Sequence, residues 1–479
     1  MRIFVKPKTY HLLTFGCQMN YSDSERFSAI LEQADIRHVS SAKMADLIVI
    51  NTCSVRQKAE DRIVGLGEKI SAIKATNPNL ITVLTGCMAR RHWDEKSSNP
   101  LQQKTEDRWQ EELLRTMPWL DLIIETRNFG QLISILHNEP PIQDDSVDEF
   151  ISFKPNIDKN IHGFVPISYG CNHFCTYCIV PFSRGKEICR DYKSIEAEFK
   201  TLLDQGFKDI TLLGQTVNRW INPKLTSKYR LKSPAATRIS GLNTKAEIEG
   251  EEPADFLQLL VKLDQFPGEY WISFVSSHPN YMTKEIIDFL AQSKHFRPYF
   301  HFALQSGSDK VLARMNRGYT VAEFSTIAKY YKERIPDATL STDIIVGFPG
   351  ETEEDFQATA KIMQELNFDN AFLSEFSPRK GTAAARIADN VTLKEKSHRK
   401  AYLNDEILAK TALANNERLV GKIKTALIEK ITTKYIFARL DNNKEVRLPI
   451  IKVSQPKIND FVKVKITDCT PWALTAEIA

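Results

Sequence analysis

The stretch Tyr169-Gly-Cys-Asn-His-Phe-Cys-Thr-Tyr-Cys178 has a CxxxCxxC spacing and decides the fold of the central part of the chain. It directly follows an apolar run that predicts a buried strand. Further apolar runs alternate with helical segments such as Glu353–Leu366, a pattern typical of parallel strands joined by helices. We therefore expect an open (β/α)6 barrel over residues 160–400, with the cysteine loop at the C-terminal edge of its first strand, where such barrels hold their active sites. The six predicted strands are Phe164–Ser168, Ile210–Leu213, Trp271–Val275, Tyr299–Leu304, Thr339–Val346 and Ala371–Phe376.

Cys171, Cys175 and Cys178 have the chemistry of iron–sulfur ligands. Three thiolates can hold a 4Fe-4S cluster and leave one iron free for a small chelating ligand. Structural zinc is the alternative, but it requires four ligands, usually in two separated pairs. His173 or Cys189 could supply the fourth ligand. The compact spacing favours the cluster.

Cys17, Cys53 and Cys87 form a second set, and each follows a predicted strand of an N-terminal domain over residues 1–150. Their separations of 36 and 34 residues are close to one strand–helix–strand unit of about 30 residues or more. Successive parallel strands end at the same edge of a doubly wound sheet, which is the usual ligand crevice. A single cysteine there would be interpreted as an ordinary buried residue. Three in equivalent positions predict a shared metal site, and the strands are Tyr10–Phe15, Leu47–Ile50, Leu80–Leu84 and Leu122–Ile124.

Helices are predicted between these strands. Ser22-Asp-Ser-Glu25 fits a capping box and predicts the start of the first helix. The second helix is predicted from Arg56 to Lys74, before Asn77-Pro78. The polar stretch Arg91–Gln110 is interpreted as a surface elaboration, and Asn138–Asp158 as a linker.

In the last part of the chain, short apolar runs separated by turns predict a small all-β module over residues 417–479. A helix around Leu393–Glu417 is predicted before it. The predicted module contains 12 Lys or Arg and 7 Asp or Glu residues, a balance that favours contact with a nucleic-acid backbone. A solvated surface is the alternative. The polar, basic stretch Ile221–Gly250 is interpreted as a flexible insertion in the barrel. The predicted strands of the module are Thr425–Ile431, Tyr435–Leu440, Glu445–Pro449 and Phe461–Ile466.

The composition predicts that these units belong to a folded cytosolic protein. The 479 residues suggest roughly three domains, and the chain is 42% hydrophobic and 26% charged. It contains no apolar run of the roughly 18 residues that a membrane helix needs, and its start shows no apolar signal region. An even count of eight cysteines fits a disulfide framework mainly in short secreted chains. Metal binding or catalysis is therefore the preferred interpretation, and Cys189 and Cys469 are interpreted as incidental.

The cysteine loop resembles the radical S-adenosylmethionine (SAM) superfamily, whose CxxxCxxC motif has an aromatic residue before its last cysteine, here Tyr177. With the N-terminal set, the chain resembles the methylthiotransferase family over nearly its whole length. The N-terminal motifs are Thr14-Phe-Gly-Cys-Gln-Met-Asn20, Asn51-Thr-Cys-Ser-Val-Arg56 and Thr85-Gly-Cys-Met-Ala89. The others are Cys175-Thr-Tyr-Cys-Ile-Val-Pro181 with Arg184-Gly185, Leu213-Gly-Gln215, Ser276-Ser-His-Pro279, Gln305-Ser-Gly-Ser-Asp309, Arg317-Gly-Tyr-Thr320, Asp343–Thr352, and a closing module similar to the TRAM RNA-binding domain.

The resemblance implies two 4Fe-4S clusters and SAM as cofactors. In the family, the barrel cluster, here expected on Cys171, Cys175 and Cys178, makes a 5′-deoxyadenosyl radical from one SAM, and a second SAM donates the methyl group. The N-terminal cluster, here expected on Cys17, Cys53 and Cys87, is implied to carry the sulfur. The implied partners are tRNA, an electron donor such as flavodoxin or ferredoxin, and a sulfur donor, with the protein a monomer. The residues implied around bound SAM are Tyr177, Gly214, Gln215, Gln305, Ser306 and Gly347.

The branch of the family that the chain resembles methylthiolates carbon 2 of isopentenyladenosine beside the anticodon. Related branches modify threonylcarbamoyl-adenosine or a ribosomal-protein aspartate, and a zinc-stabilised RNA-binding protein without catalysis is the alternative from another class. The sequence departs from the family at Cys189-Arg-Asp191, where Ser-Arg-Pro is common, and at Ala303, where Pro is usual. Both departures are expected near the pocket. Gly347-Phe-Pro-Gly350 lacks the lysine of a phosphate-binding P-loop.

Overall fold

The computed structural model describes residues 4–54, 57–90, 109–140, 150, 153, 155, 161–225, 252–450 and 456–479. Three segments predicted from the sequence lie mostly outside these described residues. They are the surface elaboration at 91–110, the linker at 138–158 and the basic insertion at 221–250.

The N-terminal sheet has the strand order β2-β1-β3-β4-β5, with every pair parallel. This confirms the predicted doubly wound sheet. The order places β1, β3 and β4 side by side, in the 2-1-3-4-5 arrangement of flavodoxin-like folds. The edge strand β2 was not predicted, because its two residues are exposed and show no apolar pattern. The strands are β1 (Thr9–Phe15), β2 (Arg37–His38), β3 (Leu47–Thr52), β4 (Ile81–Gly86) and β5 (Leu122–Ile123).

The helices of this domain correct two predictions. The first helix spans Gln18–Gln33, so the capping box predicted at Ser22–Glu25 is wrong and Cys17 occupies the N-cap. The second predicted helix is two helices, Gln57–Val64 and Gly67–Thr76, separated by a turn. Glycine weakens a helix interior, and a Cβ atom at Gly67 would lie 2.9 Å from the indole nitrogen of Trp119. A short helix, Gln131–Leu136, follows β5.

Two three-stranded parallel sheets, ordered β6-β9-β10 and β11-β12-β13, form the open barrel. Isolated bridges such as Ser277 to Phe302 connect β10 with the β11 segment. This confirms the predicted (β/α)6 arrangement. The strands are β6 (His162–Pro166), β7 (Ser168–Tyr169), β8 (Ile188–Cys189), β9 (Asp209–Leu213), β10 (Trp271–Phe274), β11 (Tyr299–His301), β12 (Thr339–Val346) and β13 (Asn370–Glu375), with β7 and β8 forming a separate antiparallel pair.

Helices pack around these strands and bury a core rich in phenylalanine, including Phe300, Phe302, Phe324 and Phe368. The predicted helix Glu353–Leu366 has those bounds in the structure. The barrel helices are Val180–Arg184, Tyr192–Asp204, Phe256–Leu263, Lys284–Gln292, Asp309–Arg314, Val321–Arg334 and Glu353–Leu366.

The C-terminal module is a closed barrel in the order β14-β15-β16-β18-β17, which matches an OB-like module. A helix, Leu393–Tyr402, continues through a π-helical stretch, Leu403–Leu408, into the helix Ala409–Glu417 and reaches the module. The last strand was not predicted, although it closes the barrel between β16 and β17. The strands are β14 (Ile423–Ile431), β15 (Tyr435–Leu440), β16 (Glu445–Pro449), β17 (Phe461–Cys469) and β18 (Leu474–Ile478).

The module docks at the N-terminal ends of the barrel strands. Arg297, just before β11, donates to the carbonyl oxygens of Leu440 and Asp441 at 2.6 and 3.1 Å. The ring of Trp271, the first residue of β10, lies 4.6 Å from that of Phe461. The cysteine loop follows the opposite, C-terminal ends of the strands. Chemistry and docking therefore occupy opposite ends of the barrel. Among the described residues, none of the helices combines the length and apolar character needed to cross a bilayer.

Candidate metal centres

The C-terminal ends of β1, β3 and β4 bring Cys17, Cys53 and Cys87 together. The strand ends Phe15, Thr52 and Gly86 are aligned in register, so the three cysteines leave the sheet side by side. The thiol of Cys53 is hydrogen-bonded to both Cys17 and Cys87. Cys53 and Cys87 are buried, whereas Cys17 is exposed. The structure thus places three thiols that are distant in sequence at one edge of the sheet.

Two glycines permit this close approach. A Cβ atom at Gly86, whose φ is +88°, would lie 2.5 Å from the carbonyl oxygen of Thr52. A Cβ atom at Gly16 would lie 2.9 Å from the Cβ atom of Cys53. Larger residues would therefore push neighbouring strand ends apart. This explains physically why glycine precedes both Cys17 and Cys87.

Buried amides fix the loops around these cysteines. Asn51, at the end of β3, donates to the carbonyl oxygen of Asn20 at 2.7 Å and to Oγ of Ser24 at 2.9 Å. Asn20 donates in return to Oδ1 of Asn51 at 3.0 Å, and its own Oδ1 accepts from the backbone N–H of Cys17 at 3.3 Å. The network ties the start of the first helix to the neighbouring strand. It holds the Cys17 and Cys53 backbones in a fixed relation.

Hydrogen bonds polarise the three thiols. The hydrogen bond with Cys53 and the nearby Arg184 guanidinium outweigh the effect of burial and lower the pKa of Cys17 to about 6. The same two causes hold the pKa of Cys87 well below its usual range. The hydrogen bonds with Cys17 and Cys87, together with burial, raise the pKa of Cys53 well above its usual range. Since the thiolate is the form that binds metals, Cys17 and Cys87 are prepared for ligation.

The second site surrounds the loop that follows β7. Cys171 and Cys175 are buried and Cys178 is half-buried, and burial raises the pKa of Cys171 and of Cys178. The sulfur of Cys171 lies 3.5 Å from Oγ1 of Thr216, beyond the end of β9. Arg317 donates from Nη1 to the sulfur of Cys175 at 3.2 Å. Residues from three separate parts of the barrel therefore converge on this loop.

Strained backbone and unsatisfied polar atoms mark the mouth of the barrel. Ser276 and Gln305 adopt left-handed φ values of 64° and 72° just beyond β10 and β11. Such strain in non-glycine residues is typical of functional sites. Within the described part of the chain, the buried Oε1 atoms of Gln215 and Gln305 and the Nε2 atoms of His173 and His278 find no hydrogen-bond partner. Buried polar atoms of this kind fit a bound polar ligand.

The other residues implied around SAM differ in their environment. Tyr177 packs against the buried cluster that includes Phe348 and Phe376. A Cβ atom at Gly214 would lie 2.5 Å from Oγ of Ser168, so a side chain there would crowd the strand end. The amide of Gly347 donates to Oε2 of Glu351 at 2.6 Å, which stabilises the turn after β12.

The hydroxyl of Ser306 faces the protein interior. Its Oγ lies 3.4 Å from Oγ1 of Thr359 and accepts from the N–H of Ser308 at 3.3 Å. These contacts hold the loop against the helix Glu353–Leu366. A role of Ser306 towards a ligand would therefore act through the loop backbone.

The departures from the family pattern occupy defined places in the structure, and the side chain of Asp191 has an identifiable structural role. Cys189 packs against the barrel core, and its pKa is raised by burial. Asp191 caps the helix Tyr192–Asp204 by accepting from the N–H of Ser194 at 3.3 Å, and it pairs with Lys224 at 3.0 Å. The carbonyl oxygen of Ala303 accepts from the Tyr319 hydroxyl at 2.9 Å. Cys469 lies at the end of β17 in the distant module.

Arg184 connects the two cysteine sites, and sequence reasoning placed it in a motif without a role. It ends the helix Val180–Arg184, which begins two residues after Cys178. Its Nε donates to the sulfur of Cys87 at 3.1 Å, and its Nη2 donates to Oδ2 of Asp23 at 2.7 Å. In the sequence, the position of Arg184 directly before Gly185 was the available signal for such a role. Arg317, which directly precedes Gly318, was also quoted within a motif and given no role.

The donor sets fit two iron–sulfur clusters. In the residues described, no group of three or more His, Cys, Asp or Glu side chains is arranged to hold a single metal ion. A 4Fe-4S cluster has a different requirement, because its cysteine thiolates are distributed over several irons. Each site offers three thiols and a buried arginine that donates to one of the sulfurs.

Family comparisons cover the three structural units. Residues 165–363 match the radical SAM superfamily, residues 9–105 match the uncharacterized protein family UPF0004, and residues 417–479 match the TRAM domain. A tRNA-2-methylthio-N(6)-dimethylallyladenosine synthase of Corynebacterium urealyticum is 35% identical, over 98% of this chain and 82% of its own length. The enzyme of that name from Dictyoglomus thermophilum is 33% identical, over 98% of both chains.

A solved structure supports the fold. The apo form of the cobalamin-dependent S-adenosylmethionine radical enzyme OxsB aligns with a TM-score of 0.50 and 13% identity. The alignment covers 83% of this chain and 55% of that one. At this identity the likeness concerns the fold alone.

Proposed function

The chain belongs to the radical SAM methylthiotransferase family, and we propose that it attaches a methylthio group to carbon 2 of isopentenyladenosine beside the anticodon of tRNA. The observation that carries the proposal is identity of about a third over 98% of the chain to synthases of that name. Two adjoining three-cysteine sites support it. We take residues 1–150, 160–400 and 417–479 as the three functional units, and a monomer in the cytoplasm as the working form.

The proposal assigns a 4Fe-4S cluster to each set of cysteines. Cys171, Cys175 and Cys178 would hold the cluster that binds SAM, and Cys17, Cys53 and Cys87 would hold the sulfur-carrying cluster. When bound, the barrel cluster and SAM supply a 5′-deoxyadenosyl radical. Such a radical is suited to the hydrogen on carbon 2 of adenine, because that carbon is aromatic and ordinary acid–base residues offer no route to remove it. An electron donor such as flavodoxin or ferredoxin and a sulfur donor complete the reaction.

The chain's own residues would position the reactants. Gln215 and Gln305, whose Oε1 atoms are buried and have no hydrogen-bond partner among the described residues, would bind polar groups of SAM at the mouth of the barrel. Tyr177, Gly214, Gly347 and the loop backbone at Ser306 would shape the same mouth. Arg184 holds the N-terminal site beside the loop of the barrel site through its contact with Cys87. An unpaired anticodon-loop base can be turned into such a cleft, whereas a base in a helix cannot.

The test is a reaction with defined tRNA. The anaerobically reconstituted protein is incubated with SAM, a reductant, a sulfur source and tRNA that either carries or lacks the isopentenyl group. Mass spectrometry of the nucleosides should detect 2-methylthio-isopentenyladenosine with the modified tRNA alone. Equal turnover of unmodified tRNA, or modification of threonylcarbamoyl-adenosine alone, would overturn the substrate assignment. A colourless zinc protein without turnover would favour an RNA-binding protein instead.

A further inference from the structure

We infer that Arg184 is a positioning residue that sets the charge, and hence the reduction potential, of the cluster at the N-terminal site. The inference rests on the proposed function, because it takes Cys17, Cys53 and Cys87 as cluster ligands. It concerns a residue of the barrel that acts on the cofactor of the neighbouring domain.

The geometry gives Arg184 a fixed position. Its side chain is 3% exposed and that of its partner Asp23 is 2% exposed, with 2.7 Å between Nη2 and Oδ2. The guanidinium also lies 4.9 Å from the ring centroid of Tyr169, the second residue of β7. An arginine held by a carboxylate and an aromatic face has little freedom. Its Nε–H is therefore aimed at the sulfur of Cys87, 3.1 Å away.

The charge balance gives the expected effect. Hydrogen bonds to cluster sulfurs and the net charge around a cluster are main determinants of its reduction potential. A buried cation beside Cys87 favours the reduced, more negative cluster, since little water screens the interaction. The carboxylate of Asp23 opposes part of that charge. Removing the arginine should lower the potential, and removing the carboxylate should raise it.

Arg297 provides a matched control at the other end of the barrel. It is also buried, pairs with an aspartate, Asp209, at 2.9 Å, and lies 4.7 Å from the ring of Trp271. It also donates to the carbonyl oxygens of Leu440 and Asp441 in the β-module, at the end of the barrel opposite the cysteine sites. A substitution there reproduces the loss of a buried, paired, ring-stacked arginine without changing the charge at Cys87.

The experiment uses the full chain in which Cys171, Cys175 and Cys178 are replaced by alanine, so that the N-terminal cluster alone is present. After anaerobic reconstitution, iron content and the midpoint potential are measured, the latter by a redox titration followed by electron paramagnetic resonance at mildly alkaline pH. We expect a lower potential for Arg184→Gln, a smaller decrease for Arg184→Lys, a higher potential for Asp23→Asn, and no shift for Arg297→Gln.

The outcomes separate the inference from the proposed function. If the parent variant with Arg184 intact binds no iron, the cluster assignment in the proposed function fails. If it binds iron but its potential does not respond to Arg184 and Asp23, the inference is overturned. Shifts of the same sign for Arg184→Gln and Asp23→Asn would also overturn it, because they would indicate general disturbance of the site. If Arg184→Gln does not retain a cluster, the sign of the Asp23→Asn shift decides.

Discussion

The Nε2 atom of His162, in the first barrel strand, lies 3.3 Å from Oε1 of Glu429 in the β-module. The Nδ1 atom of the same ring lies 2.9 Å from Oδ2 of Asp209. Burial opposes the charged ring, but hydrogen bonds to these two carboxylates outweigh it and raise the pKa of His162 to about 9. Arg297 and Arg439 also face the two carboxylates. One imidazolium thus joins the barrel to the module.

The docking of the module should therefore weaken at alkaline pH. The folded-state pKa of His162 lies above the unfolded value of about 6.5, so its stabilising contribution is complete below that pH and is lost as pH rises through about 9. We expect the melting temperature of the wild type to fall more steeply over this interval than that of His162→Gln. Anaerobic calorimetry at a series of pH values measures both slopes. Identical slopes would contradict the assignment.

Iron content should divide equally between the two cysteine sets. Two 4Fe-4S clusters correspond to about 8 iron atoms per chain. Replacing Cys171, Cys175 and Cys178 with alanine should leave about half of the iron and abolish SAM cleavage. Replacing Cys17, Cys53 and Cys87 should also leave about half, preserve cleavage to 5′-deoxyadenosine and abolish the methylthio product. Full iron content in the N-terminal variant would refute the second cluster. Cys469→Ala is the control and should change neither quantity.

Gly86→Ala should damage the N-terminal site specifically. An alanine at positive φ costs about 1–2 kcal/mol, and here its Cβ would also lie 2.4 Å from Oδ1 of Asn51. Gly206 has a similar φ of +84°, but its Cβ would meet nothing within 4 Å. Gly206→Ala therefore carries the backbone cost without the crowding. We expect about half of the iron to be lost in Gly86→Ala and none in Gly206→Ala, while SAM cleavage persists in both. Equal loss in both variants would indicate backbone strain alone.

The β-module should contact RNA through one face of its sheet. Lys430, Phe437 and Arg447 are cross-strand neighbours on β14, β15 and β16. The guanidinium of Arg447 also lies 4.7 Å from the ring of Tyr435, which is exposed. Cations beside aromatic rings suit the phosphates and unstacked bases of RNA.

Neutralising this face should weaken tRNA binding and flatten its salt dependence. For Lys430→Gln with Arg447→Gln, we expect the slope of log K against log salt to decrease by roughly 0.7–0.9 per charge removed. Filter binding over a range of salt concentrations gives both affinity and slope. Lys410→Gln is the control, because Lys410 pairs with Glu406 on a helix outside the module. An unchanged slope in the double variant would mean that these cations serve solubility.

Much of the fold was predictable because the pattern of apolar residues is local. The bounds of β12, β15 and β16 agree with the predicted ones, since apolar runs there are limited by clear turns such as that at Asn443. The N-cap of the first helix was predicted five residues too late, at Ser22 instead of Cys17, because a cysteine is a poor indicator of an N-cap. The strand β18 was missed because five residues after an exposed Trp472 give a weak signal.

The candidate sites were predictable in their ligands and unpredictable in their surroundings. Cysteine spacing and strand order are enough to collect Cys17, Cys53 and Cys87 at one edge. The contact of Arg184 with Cys87 joins residues 97 positions apart in different domains. No local periodicity encodes such a pair, since it depends on how the two domains are oriented. Arg317 and Cys175 are 142 positions apart within the barrel, so their contact depends on how the barrel strands are arranged rather than on a local pattern.

Because the β-module lies at the N-terminal ends of the barrel strands, the enzyme can measure the length of an RNA substrate. The longest of these strands, β12, has eight residues and extends about 26 Å at 3.3 Å per residue. With a strand tilt of about 36°, the barrel is about 20 Å thick, and an RNA held by the module as proposed would have to span a distance of that order before a base reaches the cysteine loops. The enzyme can then select its substrate by length as well as by base, because a fragment too short to bridge the barrel loses either the grip or the chemistry. Recognition of the whole tRNA would be a consequence of the barrel's thickness.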